Sequence, residues 1–114
     1  MKESMSAVRD FCEAREWDQF HDPTNLAIGI STEAAELLAH FRFKSKEEAL
    51  ALLQSPKKRE EIELELADIQ FFILRFAQLY SIDLDEAIRR KLAINEQRLP
   101  VEKSKGSNKK YNEL

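Results

Sequence analysis

The chain has 114 residues, of which 43% are hydrophobic, and a formal charge of -3 at pH 7. This length fits one small domain. The apolar content is that of a globular protein, so the chain as a whole is neither a disordered tail nor a linker. The negative charge provides no field for gathering nucleic acid, and the chain contains no apolar run of roughly 18–20 residues. We therefore expect neither nucleic acid nor a membrane among its partners.

The composition favours helices. Only two residues are glycine and three are proline, while 34% are charged, and this combination favours long helices over a many-stranded sheet. The single cysteine, Cys12, cannot form a disulfide within the chain, which fits a reducing compartment. The predicted class is therefore all-α, and the predicted location is the cytoplasm.

Apolar residues at helical spacing, with capping residues between them, predict four main helices and one short helix. The first helix covers residues 4–17, and a loop covers residues 18–21. Asp22 followed by Pro23 is typical of a helix start. This second helix reaches about residue 41.

Three further helix starts follow along the chain. Ser45 and Glu48 form a capping box that opens a short helix to about residue 53. Pro56 opens a long helix to about residue 80, and Asp83 caps a last helix that ends before Pro100. Short connections between such helices predict a bundle.

We expect residues 1–101 to form one helical domain. Residues 102–114 are polar and include Gly106, which is typical of a flexible tail or of a clasp that orders over a ligand.

The long helix contains a segment, residues 69–74, that is apolar on nearly every side. A helix of this kind is usually buried on every side, and four helices of a short chain do not easily enclose it. We therefore expect a homo-oligomer, a dimer or a tetramer, in which a second subunit packs against this segment. The alternative is an exposed segment that is prone to aggregation.

Two of the predicted helices each carry a pair of carboxylates three residues apart. Glu33 and Glu36 form one pair, and Glu65 and Asp68 form the other. Each pair shares one helix face and is set among apolar residues, where like charges need a compensating cation. If the two helices pack antiparallel, the pairs converge, and ligation by oxygen atoms alone suits Mg²⁺, or Mn²⁺ as a substitute.

Two other interpretations of these acids were weighed. They could lie on a solvated helix face, as most glutamates do, although two pairs in otherwise apolar helices make that less favoured. A di-iron bundle also uses glutamates borne on helices, but it needs Glu-x-x-His pairs, and the sequence contains none.

The spacing Glu33-x-x-Glu36 followed by Glu65-x-x-Asp68 resembles the ExxE…ExxD signature of the MazG-like, all-α nucleoside triphosphate pyrophosphohydrolase superfamily. Further segments resemble its dCTP pyrophosphatase branch. These are residues 16–23, Asn25, Leu26, residues 43–45, Lys91, Asn95, Gln97, Arg98, Pro100, residues 104–107, Lys110 and Tyr111. The similarity covers nearly the whole chain, and it implies a four-helix MazG-like bundle completed by oligomerisation.

The resemblance implies hydrolysis between the α- and β-phosphates, which gives a nucleoside monophosphate and pyrophosphate. The four acids at the matching positions hold Mg²⁺, and either Glu33 or Glu36 takes the proton of the attacking water. The implied substrate is dCTP or a modified pyrimidine deoxynucleotide, removed from the nucleotide pool as housecleaning.

The resemblance also implies contacts with the nucleotide. Lys91, Asn95 and Arg98 share one stripe of the last helix and contact the triphosphate, unless they are simply solvated. Lys110 and Tyr111 lie in the tail that closes over the site.

Four residues are expected to contact the base, namely Trp17, His21, Phe43 and Phe72. Trp17 and Phe43 could instead belong to the core, and His21 could satisfy backbone groups at a helix start. Phe43 stands where close relatives often carry Trp, and Phe72 where they carry Tyr. Both departures widen the expected substrates beyond dCTP itself.

Two competing functions belong to other classes. One is a non-catalytic helical dimerisation or regulatory module that retains the fold, although packing alone does not call for four clustered acids. The other is nucleic-acid binding through Lys105, Lys109 and Lys110, which the acidic chain disfavours. Calorimetric titration with Mg²⁺ and a non-hydrolysable nucleotide separates the enzyme from the module.

Overall fold

The computed structural model describes residues 1–108, and every regular element in that range is helical. The elements are α1 (Lys2–Ala14), a 3₁₀ turn (Trp17–Phe20), α2 (Pro23–Phe41), α3 (Lys46–Gln54), α4 (Pro56–Leu79), α5 (Leu84–Arg98) and the short α6 (Val101–Ser104). The chain divides after Tyr80 into two compact units. The predicted all-α class is confirmed. In the described range, no helix combines the length and the apolar character needed to cross a membrane.

Three helices begin at the predicted capping residues. The side chain of Asp22 accepts a hydrogen bond from the backbone N–H of Asn25 at 2.7 Å, with Pro23 in the first helical turn. Ser45 and Glu48 form the reciprocal capping box. The carboxylate of Asp83 likewise accepts from a backbone N–H at the start of α5. Each bond satisfies a backbone donor that a helix start leaves without a partner.

The structure differs from the prediction at the end of α1. The helix ends at Ala14, and the predicted loop is a 3₁₀ turn. Glu16 adopts a φ of 54°, a left-handed conformation that a right-handed helix cannot include. At the other end of the chain, α6 occupies part of the predicted tail, and residues 109–114 lie outside the described range.

In the first unit, α4 packs against α1, α2 and α3. Gly29 of α2 faces Phe72 of α4, and Glu36, two turns further along α2, meets Glu65, two turns earlier along α4. The helices α2 and α4 therefore run antiparallel, as the convergence of the carboxylates requires. The core is formed by five buried side chains: Cys12, Leu26, Ile62, Leu74 and Ala77.

The apolar segment 69–74 is only partly buried within the chain. Leu74 is fully buried, whereas the other five residues of the segment are partly exposed. The contact of this segment with a second subunit stays a prediction.

Candidate active site

Three carboxylates converge where α2 and α4 face each other. One oxygen atom from each of Glu33, Glu36 and Glu65 lies within 4.8 Å of the other two. Asp68 lies outside this group, but it is close enough for its charge to raise the pKa of both Glu33 and Glu65. Antiparallel packing thus turns two sequence motifs, some thirty positions apart, into one acidic cluster.

The electrostatics of the cluster favour a cation. Burial raises the pKa of Glu33, and the charges of Glu36 and Asp68 raise it further. Burial also raises the pKa of Glu65, again followed by Glu36, while His40 lowers it by a smaller effect. Like charges held together out of water destabilise the ionised state, and a bound cation removes that cost.

Two oxygen atoms of the cluster are buried without a hydrogen-bond donor. They are Oε2 of Glu33 and Oε2 of Glu65, and neither has a partner among the described residues. A buried carboxylate oxygen is normally satisfied by a donor or by a metal ion. Since the available ligand atoms are all oxygens, the cluster fits a hard divalent cation such as Mg²⁺ or Mn²⁺.

A cavity of about 650 Å³ lies beside the acidic cluster, between α1 and α4. Its walls are mostly apolar, and the carboxylates of Glu33 and Asp68 are its acidic members. The lining residues are Ser4, Ala7, Val8, Phe11, Trp17, Glu33, Ala67, Asp68, Gln70, Phe71, Phe72 and Leu74. The volume is that of a small-molecule site. A planar apolar group that entered the cavity would therefore lie next to Glu33 and Asp68.

Four aromatic rings of the cavity wall contact one another edge to face. The ring centroids of Phe11 and Trp17 are 5.5 Å apart, and those of Phe71 and Phe72 are 5.3 Å apart. The rings of Phe11 and Phe71 join the two pairs, at 6.1 Å. Such contacts fix the rings at defined angles. The sequence pattern did not single out Phe11 or Phe71, since both look like ordinary core positions of amphipathic helices.

The four predicted base contacts separate into two groups. Trp17 and Phe72 line the cavity. His21 does not line the cavity. Its Nδ1 instead accepts a hydrogen bond from Nε of Arg75 at 3.0 Å. Phe43 is 93% exposed on the turn after α2, where the Arg42 guanidinium lies 4.7 Å from the centre of its ring. The structure therefore places Trp17 and Phe72 on the cavity wall with Glu33 and Asp68. His21 lies behind Trp17, with ring centroids 6.0 Å apart, and Phe43 lies on the exposed turn after α2.

The predicted phosphate contacts lie in other parts of the chain. Lys91, Asn95 and Arg98 are on α5, in the second compact unit, one helical turn after another. Lys110 and Tyr111 fall outside the described residues. A role for these five residues in binding the triphosphate stays a prediction.

Known proteins resemble this chain in sequence and in structure. A family model described as MazG-like matches residues 28–114. The chain is 36% identical to dCTP pyrophosphatase 1 of Mus musculus and 33% identical to that of Homo sapiens, each over 105 residues. These alignments cover 92% of the chain but 62% of either relative, so the chain spans less than two thirds of their length.

A solved structure is also similar. It is the crystal structure of a pyrophosphatase from Archaeoglobus fulgidus, with a TM-score of 0.82 and 36% sequence identity. The match covers 88% of this chain and 92% of the other.

Proposed function

This chain belongs to the MazG-like family, and on that basis we propose that it is a nucleoside triphosphate pyrophosphatase, which cleaves the bond between the α- and β-phosphates. The observation that carries the proposal is the acidic cluster, in which two buried carboxylate oxygens without a donor lie beside an aromatic cavity. An acidic cluster alone repels a triphosphate. With a divalent cation bound, it attracts one.

Four residues are proposed to hold Mg²⁺: Glu33, Glu36, Glu65 and Asp68. When bound, the ion neutralises the phosphate oxygens and the charge that develops during the reaction. Because α2 and α4 hold their carboxylates on facing surfaces, these side chains would fix the position of the cation and, through it, the orientation of the phosphates.

The chain also needs a group that accepts the proton of the attacking water. Glu33 is better placed than Glu36, since Glu33 lines the cavity and Glu36 does not. A carboxylate that gives only one of its two oxygens to a cation can accept a proton on the other, so Glu33 can serve in both roles.

The proposed substrate is dCTP or a modified pyrimidine deoxynucleotide, and the proposed role is the removal of such nucleotides from the pool. The cavity supports this because Trp17 and Phe72 offer aromatic faces for a base, while Glu33 and Asp68 lie on the side where the phosphates and metal belong. Phe72 has no hydroxyl group, so it offers the base edge no hydrogen bond that would select one pyrimidine over a substituted one. Lys91, Asn95, Arg98, Lys110 and Tyr111 are proposed to contact the triphosphate.

A pyrophosphate-release screen over common and modified nucleotides tests this proposal. We expect release from a pyrimidine deoxynucleotide in the presence of Mg²⁺, and a loss of at least about a hundredfold in kcat/KM for Glu65→Ala or Asp68→Ala. Glu63→Ala is the matched control, because Glu63 lies on the same helix, is exposed, and forms an ion pair with Arg59. A folded wild-type protein that cleaves none of the nucleotides contradicts the proposal.

The proposed working form is a homo-oligomer. Several large apolar side chains of α2 and α4 are more than half exposed in the chain, among them Ile28, Leu38, Leu64 and Leu66. Ile28 also lines a second, shallow apolar depression that includes Pro23 and Phe76. Burial of such a surface favours association of subunits.

A further inference from the structure

One charged side chain is fully buried in the first unit. Arg75 of α4 is 1% exposed, and among residues 1–108 no other charged side chain is buried to this degree. Burial of a guanidinium costs several kcal/mol unless its hydrogen-bond donors are satisfied. Replacement of a buried ion pair by apolar residues is often neutral or stabilising, so stability alone is a weak reason for an arginine here.

The partners of Arg75 are concentrated on one short segment. Its Nε donates to Nδ1 of His21 at 3.0 Å, and its Nη2 donates to the carboxylate of Asp18. Its Nη1 donates to Oε1 of Gln78 at 2.8 Å on the same helix. Two of the three acceptors thus belong to the 3₁₀ turn and the residue that follows it. Arg75 therefore fastens this turn to α4.

The fastened segment carries one wall of the cavity. Trp17 begins the 3₁₀ turn, next to Asp18, and its ring meets the edge of the His21 ring at 6.0 Å. The turn is entered through Glu16, whose left-handed conformation separates the turn from α1. The position of the Trp17 ring therefore depends on contacts from outside the turn, and Arg75 supplies two of them.

The hydrogen bond from Arg75 to His21 also determines the protonation state of the imidazole. Because Nδ1 accepts the Arg75 hydrogen bond, the imidazole is neutral and carries its proton on Nε2. Burial and the neighbouring charge of Arg75 lower the pKa of His21, with Asp18 opposing them. A protonated His21 would lose this acceptor and face the guanidinium.

We infer that Arg75 is a positioning residue of the proposed pyrophosphatase: by binding Asp18 and His21 it holds Trp17 against the cavity, and so it governs how tightly a nucleobase binds. The inference rests on the proposed function only for the nucleobase, because the position of Trp17 can be measured in the protein alone. Arg75 itself touches neither the cavity nor the acidic cluster.

Trp17 is the only tryptophan of the chain, so its fluorescence reports directly on this wall. The test compares wild type with Arg75→Met, which keeps an apolar stem of similar length, and with Asp18→Ala. The side chain of Asp18 is 60% exposed, so its removal leaves no core cavity, and this variant decides the question if Arg75→Met does not fold. Ile62→Val is the control, a small change in a buried side chain toward the other end of α4.

We expect Arg75→Met and Asp18→Ala to shift the Trp17 emission to longer wavelength and to increase its quenching by acrylamide. Both are measured at temperatures where circular dichroism shows a folded protein. We also expect KM for the nucleotide to rise about tenfold with kcat within about threefold, the pattern of lost substrate binding without lost catalysis. Ile62→Val leaves emission and KM unchanged.

The inference is overturned if the folded Arg75→Met and Asp18→Ala proteins keep the wild-type emission or the wild-type KM. A wild-type protein that releases no pyrophosphate contradicts the proposed function instead, and the fluorescence comparison then still decides whether Arg75 positions Trp17.

Discussion

At the scale of single residues, Gly29 lets α2 and α4 come close beside the candidate site. A Cβ atom at this position would stand 2.6 Å from Cε1 of Phe72, closer than nonbonded carbon atoms approach. The missing side chain makes room for the Phe72 ring, which lines the cavity one helical turn from Asp68. The fit of one ring against one glycine therefore shapes the cavity next to the acids.

Gly29→Ala tests this fit. Within a helix the change favours folding by up to about 1 kcal/mol, but the clash with Phe72 costs about 1–3 kcal/mol. We expect a net loss of up to about 2 kcal/mol in the free energy of unfolding, measured by urea denaturation. The double variant Gly29→Ala with Phe72→Leu recovers part of the loss, because the smaller side chain can move. A Gly29→Ala protein that is more stable than wild type by about 1 kcal/mol, the full gain in helix propensity, contradicts the close contact.

The acidic residues of the site could be predicted from the sequence, and its aromatic walls only in part. The carboxylates follow a spacing of three on two helices, and that spacing alone places each pair on one face. Phe11 and Phe71 have no such mark, since aromatic residues at helical spacing usually belong to the core. Their place in the cavity depends on how α1 packs on α4, which is a tertiary contact that local pattern does not encode.

At the scale of elements, the starts of the helices were predictable and the 3₁₀ turn was not. A helix cap depends on about four consecutive residues, so a local pattern predicts it, as at Asp22, Ser45 and Asp83. The turn instead depends on Arg75, which lies 57 positions from Asp18 along the chain. No local pattern marks that pair, and the short segment between two helices looks like an ordinary loop.

The facing surfaces of α2 and α4 are also where we expect pH and a divalent cation to affect stability. Glu33 and Glu65 have folded-state pKa values raised above their ordinary value of 4.5. In the metal-free protein the protonated forms of Glu33 and Glu65 therefore contribute to stability. This contribution is fully present below about pH 4.5, and it is lost as pH rises through the folded-state pKa. Above the folded-state pKa the two helices hold ionised acids close together, which lowers the stability of the metal-free protein.

Thermal unfolding in the presence of a chelator, at pH 7.5 and at pH 4.5, tests this balance. We expect Glu65→Gln to unfold at a higher temperature than wild type at pH 7.5, and the difference to shrink at pH 4.5, where wild type is protonated at this site. Addition of Mg²⁺ raises the unfolding temperature of wild type at pH 7.5 and has little effect on Glu65→Gln. Glu63→Gln, on the same helix and exposed, behaves as wild type. Equal effects of Mg²⁺ on all three proteins contradict a metal site in the cluster.

At the scale of the whole molecule, the first unit buries few side chains completely for the number of apolar residues that it carries. Its fully buried residues are six, including Arg75. The antiparallel pair of α2 and α4 holds the acids on its inner face, while Ile28 and Leu38 of α2 remain more than half exposed. This arrangement fits a chain whose core is completed by a second copy, as the partly exposed segment 69–74 also indicates.

Ile28→Asp tests whether that surface joins subunits. Ile28 is 56% exposed in the chain, so a carboxylate at this position is well solvated in a monomer but costs several kcal/mol when buried between subunits. We expect light scattering coupled to size exclusion to give a dimer or tetramer for wild type and a monomer for Ile28→Asp at micromolar concentration. Glu60→Lys, an exposed change of charge on α4, keeps the wild-type assembly. A monomeric wild type, or an Ile28→Asp protein that assembles as wild type does, shows that this surface is not the interface.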